Sequence, residues 1–170
     1  MPTDAATLQG ILADRDAWRA DHCPIDEALQ IVGTRSAMLI LREAAYGTRR
    51  FDEFARRVGI TEAVTAARLR QLTHEGLLRR EPYREPGQRT RYEYHLTEKG
   101  RDLLPALLAL LQWGARYLSG PNGPALELSH LECGAPLHVE VSCGAGHPVP
   151  LSGISIRRAS APGATAPDSG

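Results

Sequence analysis

Three cysteines and six histidines are the side chains of this 170-residue chain best suited to metal or redox chemistry. His130, Cys133, Cys143 and His147 follow the pattern H-x2-C…C-x3-H, with His138 between the halves. Two thiolates and two imidazoles suffice for a tetrahedral zinc ion, although the same residues could equally belong to a small β appendage without metal. Cys23 stands directly before Pro24, at the head of a predicted helix. The free amides of a helix N-terminus stabilise a thiolate; His22 would add to that effect and Asp21 oppose it. Cys23 is therefore either a candidate reactive thiol or a small residue packed at a cap. The odd cysteine count shows no disulfide-like spacing. No Walker loop, dinucleotide fingerprint, triad signature or carboxylate cluster is present, so the expectation is a non-enzyme.

The basic residues point to a different chemistry. Net charge is zero, yet Arg49 to Arg101 holds thirteen basic residues against eight acidic ones. A basic centre in a neutral chain suits a polyanion; scattered surface charge is the alternative. Within "GITEAVTAARLRQLTHEGLLRREP" (59–82), a helix starting at Thr61 puts Thr65, Leu69 and Leu72 on one side. The other side carries Ala63, Ala66, Ala67, Arg70 and His74. A solvated face usually bears long charged side chains. An alanine face reflects either helix propensity alone or the close approach of a second surface.

Around this stretch the predicted elements run in order. "TDAATLQGILADRDAWRAD" suggests a first helix, with Leu8, Leu12 and Trp18 on one side. Pro24 and Gly33 bracket a second. "TRSAMLILREAAYG" gives a third, and "RRFDEFARRVG" a short fourth with Phe51, Phe54 and Val58 inward. The helix ending at Gly76 is the fifth. "LLRREPY" and "RYEYHLT" alternate as strands around a turn holding Pro86 and Gly87. Thr97 can cap a long helix that Pro105 kinks or restarts. Its apolar run, Leu103 to Trp113, is too short for a bilayer, which needs about 20 residues. The N-terminus lacks a basic start followed by an apolar run, and a soluble, cytoplasmic protein is expected. The expected organisation is an N-terminal helix in dimer contact (1–22), a DNA-binding domain (23–119) whose last helix (97–119) dimerises, a small β appendage (120–150) and a disordered tail (151–170). The fold class is mainly α (α+β): helix, turn, helix and hairpin form a winged helix-turn-helix.

From Cys23 to about Leu118 the chain resembles the HxlR-type winged-helix transcription regulators, relatives of the MarR-like group. The matching stretches are "CPIDEAL", "LILRE", "RRFDEFARRVGI", "RLRQLTHEGLLRRE", "RYEYHLTEKGRDLLP" and the tryptophan of "LLQWGARYL". The resemblance implies a bacterial, dimeric DNA-binding regulator. Some such proteins use the cysteine matching Cys23 to sense oxidants or electrophiles. Some also carry a ribbon-like extension whose second half reads Cys-x-x-Cys-Gly; here Gly146 stands where its second cysteine would be. The chain departs from the family pattern at Ser36, usually tryptophan, and at Thr65, commonly leucine.

On this reading a slim helix enters the major groove, with Ala63, Ala66 and Ala67 close to base edges and an alanine methyl able to touch thymine. Thr61 and Glu62 lie at its start, where amides can hold a phosphate. Thr65, Arg68, Arg70 and Gln71 are further DNA-contact candidates, Arg68 matching the family's arginine. A structural ion pair is the alternative for Arg68. Arg84, Arg89 and Arg91 flank the wing turn, and Arg49 and Arg50 are candidate phosphate clamps. Tyr92 and Tyr94 are expected to pack the sheet. Leu103, Leu107, Leu108, Leu111 and Trp113 surround much of the last helix, so a second subunit is the expected cover, joined by Leu8, Ile11 and Leu12. The function expected is a sequence-specific regulator, a dimeric repressor on an inverted-repeat operator, with redox or electrophile response open. A winged helix that binds protein instead of DNA is the competing reading. Zinc is the one cofactor the residues suggest.

Overall fold

The computed structural model describes residues 5–17 and 23–159. They form two units: residues 23–139, and residues 5–17 together with 140–159.

In the larger unit, α1 (Pro24–Val32), α2 (Arg35–Ala45), α3 (Phe51–Val58) and α4 (Glu62–His74) precede an antiparallel hairpin, β2 (Leu78–Tyr83) and β3 (Arg91–Leu96). Local signals set the boundaries. Pro24 occupies the first turn of α1. Thr34 caps α2 and Thr61 caps α4, each hydroxyl accepting from the amide three residues on. Gly59 stops α3 with φ +69°, a left-handed conformation that side chains with a Cβ avoid. The hairpin register runs from Leu78 opposite Leu96 to Tyr83 opposite Arg91. Arg50 bridges Glu93, and the Arg49 carbonyl accepts from Tyr94 N–H at 2.9 Å, so the turn before α3 leans on the hairpin.

One core joins these elements. Ile40, Leu41, Phe54, Leu69, Leu72 and Leu78 are fully buried, with Tyr94 edge-on to Phe54. Each such aliphatic side chain contributes about 1.5–3 kcal/mol on burial. Thr97 then caps α5 (Glu98–Asp102), and the chain restarts at Pro105 as α6 (Leu104–Tyr117). Leu103 and Leu107 pack on the core, but α6 has no buried residue. Leu110, Trp113 and Tyr117 are each more than half exposed. Beyond α6, a tight turn at 129–136 is closed by a Ser129–Pro136 bridge, and Val139 N–H donates to Gln112 Oε1 at 2.8 Å.

The smaller unit differs from the sequence expectation. Residues 5–17 do not form a helix: β1 (Thr7–Leu8) is followed by a single 3-10 turn, Gly10–Ala13. Gly10 lies at φ +61°, and Asp14 Oδ1 accepts from Asp16 N–H, so local side-chain bonding competes with helix. β1 pairs in parallel with β4 (Ser155–Ile156), so part of the expected disordered tail is a strand. Trp18, Asp21, His22 and the tail from 160 lie outside the described residues. The expected 120–150 appendage is divided between the units at residue 140.

Gly100 has no room for a side chain, since an added Cβ would collide with the Leu77 carbonyl. Gly100→Ala should cost about 1–3 kcal/mol of unfolding free energy, read by urea titration. An unchanged midpoint would remove this close approach from the account.

Candidate nucleic-acid interface

α4 has two unlike sides. Thr65, Leu69 and Leu72 are wholly buried, while Ala63 and Ala67 are exposed and Ala66 half-buried. The alanine side thus faces outward and is slim enough for a groove. Thr61 and Glu62 lie exposed at its start, Thr61 occupied as the cap. Arg70 is exposed, and its side chain has no hydrogen-bond or ion-pair partner among the described residues. Thr65 must be withdrawn from the DNA-contact set: it is at 0% exposure, and its hydroxyl donates to the Thr61 carbonyl at 3.0 Å.

Among the described residues Arg68 has no acidic partner. Its Nε donates to Ser36 Oγ at 3.2 Å and its Nη1 to Gln71 Oε1. Gln71 is therefore turned toward Arg68, and its Nε2 faces the Ile31 carbonyl at 3.5 Å. That commits the Gln71 amide to Arg68 and to α1, contrary to the expectation that it touches bases itself.

The arginines before α3 serve the fold. Arg49 Nη1 donates to the Ala44 and Thr48 carbonyls at 2.7 and 3.0 Å, closing the C-terminus of α2. Arg50 pairs with Glu85 at 3.1 Å and Glu93 at 3.6 Å, and its guanidinium lies 4.8 Å from the Tyr83 ring centre. With their donors engaged in this way, neither has the geometry of a free phosphate clamp. On the wing, Arg84 Nε is tied to the Gln88 carbonyl across the turn, at 3.1 Å. Arg89 and Arg91 are exposed and engaged by no other described residue. Gly87, at φ +75°, makes the turn tight.

Two features escaped sequence reasoning. A cleft of about 260 Å³ between α4 and the hairpin is lined by Arg70, Thr73, His74, Arg80 and Tyr94. Arg80 lies 3.6 Å over the exposed Tyr92 ring, so Tyr92 supports a cation instead of packing the sheet. Arg56 and Arg57, exposed at the end of α3, add free positive charge. Arg56 and Arg57 were legible as basic residues of a helix end; the cleft needed the register of the hairpin against α4.

The thiols divide differently from the zinc pattern. His130 Nδ1 lies 3.2 Å from Cys133 Sγ within one turn. Cys143 and His147 close another, Cys143 N–H donating to the His147 carbonyl at 3.0 Å. Among the described residues no three His, Cys, Asp or Glu side chains form a group able to hold a metal ion. The zinc pattern is thus split between the two units, one His–Cys pair in each. Backbone amides of Ala145 and His147 pointing at Cys143 hold its thiol below the ordinary range. Cys23 is half-buried at the N-cap of α1, its side chain making no capping bond.

Residues 31–121 match the family model described as HxlR-like helix-turn-helix. The uncharacterized HTH-type transcriptional regulator Rv3095 of Mycobacterium tuberculosis is 47% identical over 110 residues, 65% of this chain and 68% of that protein. Of solved structures, the proposed transcription factor PA1607 is 36% identical with a TM-score of 0.67, matching 75% of this chain and 88% of its own. The proposed transcription factor PA1374 from Pseudomonas aeruginosa is 35% identical with a TM-score of 0.58, matching 84% and 95%. No helix among the described residues is long and apolar enough to cross a membrane.

A depressed thiol pKa enlarges the thiolate fraction at neutral pH. Alkylation of Cys143 in the native chain, followed by peptide mass analysis, should therefore reach half its limiting rate at a lower pH than in the urea-unfolded chain. Coincident profiles would show that the loop amides do not stabilise the thiolate.

Proposed function

The chain belongs to the HxlR-like helix-turn-helix family and is a DNA-binding transcriptional regulator; from that premise we propose that it works as a homodimer that represses by occupying an inverted-repeat operator. The observation that carries this reading is the outward alanine face of α4, flanked by Arg68 and Arg70, which no acid among the described residues neutralises. Small side chains admit the helix to the major groove, where base edges carry distinct donor and acceptor patterns. Arg89 and Arg91 then meet the backbone or a narrow minor groove beside it, and Arg70 and Arg80 the phosphates along the cleft. Arg56 and Arg57 extend the same positive surface.

The second copy is argued from α6. An apolar groove of about 510 Å³ runs along Met38, Leu39, Leu104, Leu107, Leu108 and Leu111. With Leu110 and Trp113 also exposed, a helix so apolar is covered by a partner helix in water. Leu103 and Leu107 already serve the intrachain core, so the partner side is better assigned to Leu108, Leu110, Leu111 and Trp113. A two-fold axis would set the two α4 helices about 34–36 Å apart, one turn of duplex. Repression follows if the operator overlaps a promoter.

Cys23 gives this regulator a route for thiol response. It heads α1, whose last turn faces Gln71 of α4 through the Ile31 carbonyl. Adduct formation that shifts α1 would thus reach the reading helix. Diamide or an electrophile should weaken binding by the wild type and leave Cys23→Ser unaffected.

Gel-shift and fluorescence anisotropy on the chain's own upstream region are the primary test. Binding should be sequence-selective and steeply salt-dependent. Arg89→Gln with Arg91→Gln should lower the slope of log K against log salt by about 1.8, since each phosphate contact contributes about 0.9; an unchanged slope removes the wing from the interface. Leu110→Glu with Trp113→Glu should yield monomers in sedimentation and weaken binding to paired half-sites at least tenfold, about 1.4 kcal/mol. A dimer that survives both changes would place the interface elsewhere.

A further inference from the structure

Most of the arginines in the basic centre are exposed cations or structural clips. Among the described residues, the side chains of Arg56, Arg57, Arg70, Arg89 and Arg91 have no hydrogen-bonding or ion-pairing partner, and Arg49 and Arg50 are consumed by the fold. Arg68 is neither. Two of its guanidinium nitrogens are fixed by side chains, Nε by Ser36 Oγ at 3.2 Å and Nη1 by Gln71 Oε1. No other arginine between Arg49 and Arg101 is held by two neutral side-chain acceptors.

Both holders are themselves anchored. Ser36 Oγ lies 3.3 Å from Thr34 Oγ1, which accepts the Ala37 amide as the cap of α2. Gln71 Nε2 faces the Ile31 carbonyl at the end of α1. The side chain of Arg68 is thus steadied from two helices while its charge stays uncompensated. Nη2 and the second proton of Nη1 have no partner among the described residues.

The physical consequence is selectivity. A phosphate ribbon offers acceptors along its whole length, and a mobile cation serves it well. Guanine offers two acceptors, O6 and N7, on one edge and in one plane, and a guanidinium meets them bidentately only in a fixed orientation. Holding the plane in advance lowers the ordering cost of the correct contact and leaves a wrong base without a matching acceptor pair. We infer that Ser36 and Gln71 are positioning residues for Arg68, and that the pinned guanidinium reads one guanine in each half-site. Ser36 is then a specificity residue although it lies on α2, outside the helix-turn-helix. The inference rests on α4 being the groove helix, as proposed above.

The test is a double-mutant cycle on the full chain, using the bound upstream duplex and variants changed one base pair at a time. Arg68→Ala should weaken binding to the preferred duplex about 5- to 100-fold and flatten the preference at one base pair per half-site. Ser36→Ala should cost about 3- to 10-fold, with the flattening at the same base pair. In the Arg68→Ala background Ser36→Ala should cost nothing more, and Ser36→Thr, which keeps the hydroxyl, should restore selectivity. Gln71→Glu supplies a second route, because a carboxylate neutralises the guanidinium where it sits; selectivity at that base pair should fall while the fold stays intact. Equal losses from Ser36→Ala with and without Arg68 would overturn the positioning role. A loss spread evenly over all duplexes, with the salt slope lowered by about one, would assign Arg68 to a phosphate and overturn the reading of guanine. Either result leaves the DNA-binding reading standing, whereas a wild-type chain that binds no duplex removes both.

Discussion

Burial of Thr65, Leu69 and Leu72 beneath α4 governs what the other side of that helix can do. A helix that enters a groove cannot be held from the front. It must be gripped from behind, by a core that α2, α3 and the hairpin complete. Because the grip is strong, the front can be reduced to alanine without the helix losing its place. Helix propensity assists, since alanine is the residue least in need of tertiary support. Thr65 illustrates the cost of occupying the rear: its hydroxyl turns back to the Thr61 carbonyl, satisfied within the helix and lost to any ligand.

Charge is organised by the same division. Arginines close to the core have carbonyls or carboxylates to bond and become structural: Arg49 at the end of α2, Arg50 between α3 and the hairpin. Arg56, Arg57, Arg70, Arg89 and Arg91, further out, have no acid among the described residues to neutralise them, and their fields add. Electrostatic repulsion among them is the tension that a polyanion relieves. Arg68 sits at the boundary of the two classes, bonded like an inner residue yet unneutralised like an outer one.

The helical core was legible because its signals are local. Pro24, Thr34, Gly59, Thr61 and Gly87 each act within a turn of their own position, and the boundaries follow from them. The inward set Phe54, Val58, Leu69 and Leu72 follows from periodicity. Failures came where a partner distant in sequence decided the outcome. Thr7 and Leu8 lie in a strand because Ser155 and Ile156 pair with them, and no helical period can foresee that. Arg50 looked like a free cation because Glu85 and Glu93 approach it only once the hairpin has formed. Ser36 was visible as a departure from the family's tryptophan, but its bond to Arg68, 32 residues away, was not.

α6 is the element that one chain does not cover by itself. Leu103 and Leu107 secure its base to the core, and everything further along stands partly bare. Were α6 merely an ornament of a monomer, charged residues on its outer side would be the ordinary solution, yet from Leu104 to Ala115 it carries none. Its first charged residue is Arg116, in the last turn. Such a helix makes sense as half of an interface. It leaves the same body that grips α4, so a rigid pairing through α6 would transmit a fixed spacing to two groove helices. One winged helix binds by charge and a few base contacts; two at a set spacing turn the second contact into an intramolecular event, raising affinity and length discrimination together. The apolar surface that costs solubility in the monomer is thus the part that would give the arginines of α4 and the wing a defined pair of half-sites on which to act.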